Sequence, residues 1–268
     1  MKERLDKILT DRGYFETKSK AQASIMAGDV KVNGEKITKA GYMLEVKDNT
    51  TFEVSTMPFV SRGGFKLDKA VKEFKIDLKD KICLDAGAST GGFTDCMLQN
   101  GARLVYAVDV GYAQLAWKLR NDKRVVVIEK TNIKNCATEE IYRDEKSEKA
   151  QFGSCDLSFI SLTKTLPNIK ALLREKDIEI VALIKPQFEA EREEIGKNGV
   201  VREKTTHIKI INKILDFVPS INLYPQALTY SPIKGPKGNI EYLIYLTDKD
   251  EKTDIEVKDI VNKAFEEL

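Results

Sequence analysis

The sequence is poor in the residues that support several common chemistries. It contains one histidine, His207, and four widely spaced cysteines, with no Cys-x-x-Cys pair. One histidine argues against Ser-His-Asp catalysis and against multi-histidine metal sites, and scattered cysteines argue against a disulfide scaffold or a thiolate zinc site. We therefore expect no metal, a structural role for His207, and buried apolar positions for the cysteines. The cysteines are Cys83, Cys96, Cys136 and Cys155.

Long apolar runs and a large net charge are also missing. Charged residues interrupt every apolar run well short of the roughly 20 residues that cross a bilayer. The first residues contain no apolar signal core, so we expect a cytoplasmic protein without a membrane partner. The 268 residues carry 44 Lys and Arg against 42 Asp and Glu, a net charge of +2. Taken as a whole, that balance argues against a nucleic-acid partner, because a basic excess is the usual footprint.

The first sixty residues predict a small α/β module with its own charge balance. Two helical segments precede the hairpin turn Asn33-Gly34 and further short strands. The first forty residues contain nine Lys or Arg and six Asp or Glu. We favour phosphate contact with folded RNA over a merely solvated basic face. The candidate RNA contacts on or beside the two helices are Arg4, Arg12, Lys18 and Lys20.

A break containing Pro58 begins at Ser55, and the glycine pair at Gly63-Gly64 follows. We predict domains over residues 1–59 and 65–268, joined by a linker over 60–64. Buried strands alternate with helices in the second domain, which indicates a doubly wound, mostly parallel α/β sheet. The predicted strands cover 82–86, 104–110, 125–129, 155–159, 180–184, 223–230 and 241–246, and the main predicted helices cover 65–74, 94–100, 206–218 and 255–267.

A glycine-rich turn follows the first strand of this sheet. Such a turn lets a ligand approach the backbone at the carboxyl edge of a sheet, although tight strand-to-helix packing is the alternative. The next strand ends at Asp109, where an acid can accept hydrogen bonds from ribose hydroxyls. The spacing Gly87-x-x-x-Gly91-Gly92 does not match a dinucleotide site and favours S-adenosylmethionine. The candidate cofactor residues are Asp85, Gly87, Ala88, Ser89, Thr90, Gly91, Gly92, Phe93, Asp109 and Val110.

Four charged residues stand where charge is expensive: Lys66, Asp156, Lys185 and Glu241. The last three adjoin or interrupt apolar strands, and Lys66 follows Gly63-Gly64-Phe65. Salt bridges, or charges emerging into water, would explain any one of them. As a set, they indicate a common site at the sheet edge that carries the glycine turn.

Together these stretches resemble the TlyA-type ribosomal RNA 2′-O-methyltransferases, a family also labelled hemolysin A-like. Residues 1–59 resemble an S-four-type RNA-binding domain, and the remainder resembles an FtsJ-like methyltransferase with a class I sheet that has one antiparallel strand. The matching stretches include 60–67, 87–95, 107–112, 156–162, 185–189 and 235–241. The pair Pro58-Phe59 departs from a more polar aromatic pair that the family has there.

The resemblance implies S-adenosylmethionine-dependent methylation of a ribose 2′-hydroxyl, of cytidine, in 16S or 23S ribosomal RNA or in both. It assigns catalysis to Lys66, Asp156, Lys185 and Glu241. A ribose hydroxyl is a poor nucleophile, so the enzyme must align oxygen, methyl and sulfur and help to remove one proton. We place Lys185 nearest the hydroxyl and leave open whether it acts as a neutral base or as a cation. Arg62 joins the candidate RNA contacts.

The expected partner is ribosomal RNA within ribosomal subunits, and we expect a monomer without a stable protein partner. Two alternatives remain at this stage. A membrane-active hemolysin would leave the four charged residues unexplained. An inactive RNA-binding assembly factor would leave both the charged set and the cofactor turn without a use.

Overall fold

Pro58 and Phe59 mark the boundary between two structural units in the computed structural model, Met1–Pro58 and Phe59–Leu268. The structure describes residues 2–54, 57–251 and 253–268, so Ser55 and Thr56, where we predicted the break, lie outside the described residues. Residues 60–64, our predicted linker, belong to the second unit. Val60 packs against its apolar core and Gly63 begins a helix, which explains the difference.

The first unit is a small α/β fold with two short sheets. Its elements are β1 (Lys2–Arg4), α1 (Leu5–Asp11), α2 (Lys18–Ala27), β2 (Val30–Val32), β3 (Glu35–Ile37), β4 (Met43–Glu45) and β5 (Phe52–Val54). β1 pairs with β4, and β2 lies between β3 and β5, all antiparallel. Thr17 caps α2 by accepting a hydrogen bond from the Lys20 backbone N–H. The core is formed by Leu5, Leu9, Ile25, Val30 and Val32.

The second unit alternates strands and helices, as the hydrophobic pattern predicts. Its elements are α3 (Gly63–Glu73), β6 (Ile82–Ala86), α4 (Gly92–Gln99), β7 (Leu104–Val108), α5 (Trp117–Arg120), β8 (Val125–Ile128), α6 (Thr138–Ile141), β9 (Phe152–Cys155), α7 (Leu166–Leu172), β10 (Glu179–Ile184), α8 (Pro186–Glu189), α9 (Lys204–Phe217), β11 (Tyr224–Tyr230), β12 (Tyr242–Thr247) and α10 (Val257–Glu267).

Seven strands form one sheet in the order β11-β12-β10-β9-β6-β7-β8. The five strands from β10 to β8 are parallel, and β12 runs antiparallel to both of its neighbours. The predicted fold class, a mostly parallel sheet with one antiparallel strand, is therefore confirmed. The strand order reverses between β6 and β9, which is where open α/β sheets bind ligands.

Successive side chains of a strand point to opposite faces of the sheet, and each face contributes to a separate apolar core. On β6, Ile82 and Leu84 belong to one core, which also contains residues of α7, α9 and α10. Cys83 belongs to the other core, together with residues of α3 and α4. The sheet thus lies between two layers of helices, and its carboxyl edge is left to carry polar side chains.

The fourth predicted strand is misplaced by three residues. We predicted 155–159, whereas β9 covers Phe152–Cys155 and ends directly before Asp156. Ser154 is fully buried, yet it suits the strand because its hydroxyl donates a hydrogen bond to Asp85 on the neighbouring strand. The apolar residues that suggested a strand further on include Phe159, which has a positive φ of 65° and leaves the sheet.

The scarce residues of the sequence have structural positions. His207 is fully buried, with Nδ1 2.8 Å from the Tyr242 hydroxyl and Nε2 3.0 Å from the Val201 carbonyl oxygen. Burial lowers the pKa of His207, which suits a neutral ring. All four cysteines are buried and unpaired, as predicted. In the described ranges, no helix combines the length and the apolar character needed to span a membrane.

Candidate active site

The predicted site residues lie at one edge of the seven-stranded sheet. Asp109, Asp156 and Lys185 directly follow the parallel strands β7, β9 and β10. Glu241 directly precedes β12, and Tyr242 pairs with Ile184 at the end of β10. Because β12 runs in the opposite direction, its beginning lies at the same edge as the carboxyl ends of the others.

Four charged side chains form a row with alternating sign, which we call the charged row: Lys185, Asp156, Lys66 and Glu241. Lys185 Nζ lies 2.6 Å from Asp156 Oδ1. Lys66 Nζ lies 3.7 Å from Asp156 Oδ2 and 2.7 Å from Glu241 Oε2. Glu241 is fully buried, and Lys66 and Lys185 are 7% and 8% exposed. Buried charges require such partners, so the row holds each amine in a fixed position.

Gly235 leaves space for Glu241, which is the buried end of the charged row. A Cβ at this position would lie 2.2 Å from Glu241 Oε1, closer than atoms can approach. The same oxygen accepts a hydrogen bond of 3.0 Å from Gln187 Nε2. Glu241 is thereby anchored through both carboxylate oxygens, and any side chain at 235 would displace it.

The glycine-rich turn between β6 and α4 approaches the charged row through its backbone. Gly87 has a φ of +89°, and a Cβ there would lie 2.7 Å from the Asp156 carbonyl oxygen. A Cβ on Gly92 would lie 2.7 Å from the backbone nitrogen of Gly64 on α3. Glycine is therefore required at both positions, by close approach at each and by the left-handed backbone at Gly87.

Asp109 binds the backbone on both sides of its strand end. Its Oδ2 accepts a hydrogen bond of 2.8 Å from the Ser89 N–H, and its Oδ1 accepts one of 2.7 Å from the Gly111 N–H. A carboxylate offers about four acceptor positions, so room remains for hydroxyl donors of a ligand. Asp109 thus fixes the glycine turn and also faces a cavity.

Two cavities of about 440 Å³ each open at this edge. The Asp109 cavity is lined by Asp109, Val110, Gln114, Asn132 and Ile133, among others. The Lys185 cavity is lined by Lys185, Lys66, Arg62, Thr90 and Lys234, among others. Gly87, Ser89, Asp156 and Ser158 line both. The two cavities therefore adjoin, and the charged row lies where they meet: Asp156 lines both, and Lys66 and Lys185 line the second.

Comparison with known proteins identifies both units. Residues 59–248 match the family model described as FtsJ-like methyltransferase, and residues 3–49 match the S4 domain. The chain belongs to the FtsJ-like methyltransferase family. Residues Phe59–Leu268 are called the methyltransferase unit below, and Met1–Pro58 are called the S4 unit.

Relatives of the chain carry two kinds of name. Hemolysin A of Brachyspira hyodysenteriae is 47% identical over 242 residues, covering 90% of this chain and 98% of that protein. The 16S/23S rRNA (cytidine-2′-O)-methyltransferase TlyA of Mycobacterium tuberculosis is 38% identical over 269 residues, covering 98% and 97%. A solved structure from Streptococcus thermophilus, described as a hemolysin, has a TM-score of 0.75 and 42% identity, covering 99% and 96%. The predicted resemblance is confirmed.

The methyltransferase unit brings most predicted cofactor residues to the cavities. Gly87, Ser89, Asp109 and Val110 line the Asp109 cavity, and Gly87, Ala88, Ser89, Thr90, Gly92 and Phe93 line the Lys185 cavity. The other two predicted cofactor residues, Asp85 and Gly91, line neither cavity. Asp85 is fully buried and accepts hydrogen bonds from Thr94 Oγ1 at 2.6 Å and Ser154 Oγ at 2.9 Å. Asp85 therefore connects the end of β6 to α4 and to β9, and these contacts stabilise the glycine-rich turn.

Several residues that our sequence-based prediction omitted also belong to the site. Ser158 Oγ lies 3.0 Å from Lys185 Nζ, and Gln187 contacts Glu241. Each stands two positions after a predicted residue, within the matching stretches 156–162 and 185–189. Glu189 ties these stretches together by accepting hydrogen bonds from Ser161 Oγ at 2.6 Å and the Leu162 N–H at 2.7 Å. Short spacing from a charged residue was the signal that could have found them.

The predicted RNA contacts of the S4 unit have different surroundings. Arg4 donates two hydrogen bonds to the buried Asp6, and this contact holds the pKa of that carboxyl well below its usual range. The Arg12 guanidinium lies 5.2 Å from the centre of the Phe52 ring. Lys20 forms an ion pair with Glu16 one turn away, and Lys18 is exposed. Of these four predicted RNA contacts, Arg4 has the clearest structural role, because its partner Asp6 is buried.

The described ranges contain no group of three or more His, Cys, Asp or Glu side chains suited to a metal ion. The positively charged groups of the charged row are the amines of Lys66 and Lys185. Arg62, the remaining predicted RNA contact, is exposed and lines the Lys185 cavity in the methyltransferase unit.

Proposed function

We propose that the chain transfers a methyl group from S-adenosylmethionine to the ribose 2′-hydroxyl of cytidine in 16S ribosomal RNA, 23S ribosomal RNA or both. The observation that carries the proposal is the charged row at the meeting point of two adjoining cavities. One cavity suits a nucleoside-containing cofactor, and the other presents an amine to an incoming acceptor. The name and extent of the TlyA relative support the same substrate.

S-adenosylmethionine fits the residues of the Asp109 cavity. The turn at Gly87 offers backbone without a Cβ, and Asp109 offers acceptors for ribose hydroxyls. Val110 and Ile133 provide apolar surface for an adenine ring. The bound cofactor supplies an activated methyl group on its sulfonium centre. The protein has to orient this methyl toward the neighbouring cavity and exclude competing acceptors such as water.

Lys185 is the residue that we place next to the acceptor oxygen. Its amine lies at the end of the charged row, where it forms an ion pair with Asp156 and Ser158 accepts a further hydrogen bond. Lys66 stands between two carboxylates and has the more structural position. Lys185 then hydrogen-bonds the hydroxyl oxygen, and Asp156 keeps the amine aimed at that oxygen. The hydroxyl proton passes to Lys185 if its amine is neutral, or to solvent if the amine is a cation that stabilises the developing alkoxide.

The S4 unit and Arg62 bind the RNA in this proposal. Exposed Lys18 and Arg12 offer charge to phosphates without requiring a particular base sequence. All members of the charged row come from one chain, which suits a monomer. Because the proposed substrate is RNA within ribosomal subunits, the proposal includes a cytoplasmic location.

The test incubates the purified protein with isotopically labelled S-adenosylmethionine and isolated ribosomal subunits. We expect labelled RNA whose modified nucleotide blocks alkaline cleavage, as a 2′-O-methyl group does. Lys185→Ala should abolish transfer and leave cofactor affinity nearly unchanged in calorimetric titration. Lys258→Ala, on the exposed surface of α10, is the matched control and should retain activity.

Two results would contradict the proposal. Wild-type protein that transfers no methyl group to either subunit would exclude the reaction. Lys185→Ala protein that has lost cofactor binding would show that Lys185 was assigned the wrong role. The hemolysin alternative is checked in the same preparation by dye release from lipid vesicles, where we expect none.

A further inference from the structure

The segment from the end of β7 to the first residue of α5 carries three large apolar side chains that are exposed in the structure. Val110, Tyr112 and Trp117 are 67%, 68% and 77% exposed. Val110 lines the Asp109 cavity, so the cofactor accounts for its position. Tyr112 and Trp117 line neither cavity described above. Two exposed aromatic side chains on one short segment are typical of an interaction surface rather than of a solvated loop.

Two lysine residues accompany these aromatic residues. Lys130 Nζ lies 4.5 Å from the centre of the Tyr112 ring. Lys118, next to Trp117 in the sequence, has a side chain that is 69% exposed, and its Nζ lies 3.4 Å from Asp95 Oδ1. Arg120 and Arg124 on the same segment are paired with Glu129 and Asp122, so Lys130 and Lys118 are the cations that concern these rings. The surface therefore combines flat apolar rings with positive charge.

Backbone contacts join this segment to the wall of the Lys185 cavity. The Ala116 N–H donates a hydrogen bond of 3.1 Å to the carbonyl oxygen of Thr90, which lines that cavity. Leu115 and Leu119 pack against Gly91, where a Cβ would lie 2.8 Å and 2.3 Å from their methyl carbons. Trp117 stands between these two anchors in the sequence and remains exposed. Its position is thus fixed close to the acceptor site.

We infer that Tyr112, Trp117, Lys118 and Lys130 form a docking surface for unpaired RNA nucleotides adjacent to the methylated one. The inference rests on the proposed function, since it supposes that RNA occupies the Lys185 cavity. Bases of any sequence stack on aromatic rings, and lysines beside them neutralise the connecting phosphates. An RNA strand whose ribose lies in the Lys185 cavity reaches Trp117 by passing over Thr90.

Trp117 is the only tryptophan of the chain, so its fluorescence reports on this surface directly. The probe is a single-stranded oligocytidylate RNA of about twelve nucleotides, comparable to the sites that stacking grooves bind, added to the full chain. We expect saturable quenching that weakens as salt is raised. A polyglutamate peptide of equal charge serves as a control, because it has no bases to stack and should leave the fluorescence unchanged.

The second measurement is methyl transfer to ribosomal subunits. Trp117→Ala should raise the KM for subunits by about fivefold or more, because loss of one base stack weakens binding by at least that factor. Its kcat and its thermal unfolding midpoint should stay close to those of the wild type, because the side chain is exposed. Trp117→Phe keeps a ring for stacking and should retain most of the affinity.

The outcomes separate the inference from the proposed function. Active wild-type protein whose Trp117→Ala variant has an unchanged KM, with no quenching by the oligonucleotide, would overturn the docking surface alone. Equal quenching by polyglutamate would overturn it in favour of an acidic protein partner. Quenching by RNA in a protein that transfers no methyl group would support the surface and refute the proposed reaction.

Discussion

Asp85 should make the stability of the methyltransferase unit depend on pH. Its carboxyl is fully buried at the end of β6, where Thr94 and Ser154 donate hydrogen bonds to it. Burial raises the pKa of Asp85 from its usual 3.8 to about 6, and the two hydroxyls offset only part of that effect. The ionised carboxylate has lost its water and has gained two neutral donors in exchange.

The direction of the effect follows from the protons bound in each state. Between about pH 4 and pH 6, the folded protein keeps a proton on Asp85 that the unfolded chain has released. Raising the pH through this interval therefore lowers the free energy of unfolding, and above pH 6 the loss is complete. A shift of about two pKa units corresponds to roughly 3 kcal/mol, at about 1.4 kcal/mol per unit.

Asp85→Asn removes the titration and nearly keeps the shape of the side chain. The amide can accept a hydrogen bond from one hydroxyl and must donate to the other, and this rearrangement costs about 1 kcal/mol. At pH 8 the variant should therefore be about 2 kcal/mol more stable than the wild type. At pH 4, where the wild-type carboxyl is protonated in the folded state, it should be about 1 kcal/mol less stable.

Urea unfolding of the full chain between pH 4 and pH 8 measures this difference. Far-ultraviolet circular dichroism follows the unfolding, because the longest described helices lie in the same unit as Asp85. Asp216→Asn, at an exposed position of α9, is the matched control and should leave the pH profile unchanged. A stability difference between Asp85→Asn and wild type that stays constant over the whole interval would refute the reasoning.

Three further predictions concern the cofactor, the loops of the site and the RNA. Asp109→Ala should weaken S-adenosylmethionine binding by about tenfold or more, through lost ribose and turn contacts, and an unchanged dissociation constant in calorimetry would contradict this. Glu189→Gln should lower the free energy of unfolding by about 1–2 kcal/mol and reduce kcat, because its amide NH2 would face the Ser161 hydroxyl, which donates to the carboxylate and would have to reverse its hydrogen bond; unaltered kcat would argue against a positioning role. Lys18→Glu should weaken binding to ribosomal RNA most at low salt, with cofactor affinity unchanged; equal RNA affinity at all salt concentrations would exclude a phosphate contact.

The fold could be predicted from the sequence where local pattern and tertiary environment agree. Both ends of β6 were predicted correctly, because residues 82–86 are apolar apart from Asp85 and are bounded by turn signals. β9 was displaced because Gly153 and Ser154 do not resemble a buried strand. Ser154 is stable there only because Asp85 lies opposite it on β6. A pairing between residues 69 positions apart leaves no periodic signal in either segment.

The site could be predicted as a set of charges but not as a geometry. Lys66, Asp156, Lys185 and Glu241 were found because charges beside apolar strands are costly and because the stretches resembled a family. Their order in the charged row follows from strand order and direction, in particular from the reversal of β12. Glu241 also depends on Gly235 for space, a requirement that becomes visible only when the two segments are packed together.

Counting basic residues overstates the charge that the S4 unit offers to RNA. Several of its lysines already have carboxylate partners: Lys7 with Glu3, Lys20 with Glu16 and Lys31 with Glu53. These exposed pairs are weak, so phosphates can compete for the lysines. Arg4 differs, because its partner Asp6 is fully buried and would be left as an unpaired charge. Exchanging that contact for a phosphate would cost fold stability, so Arg4 is the least available of the four predicted contacts. Reduced RNA binding in an Arg4 variant would therefore report first on the fold. In the proposed complex, the affinity that Arg4 does not supply comes from exposed cations such as Lys18 and Lys130.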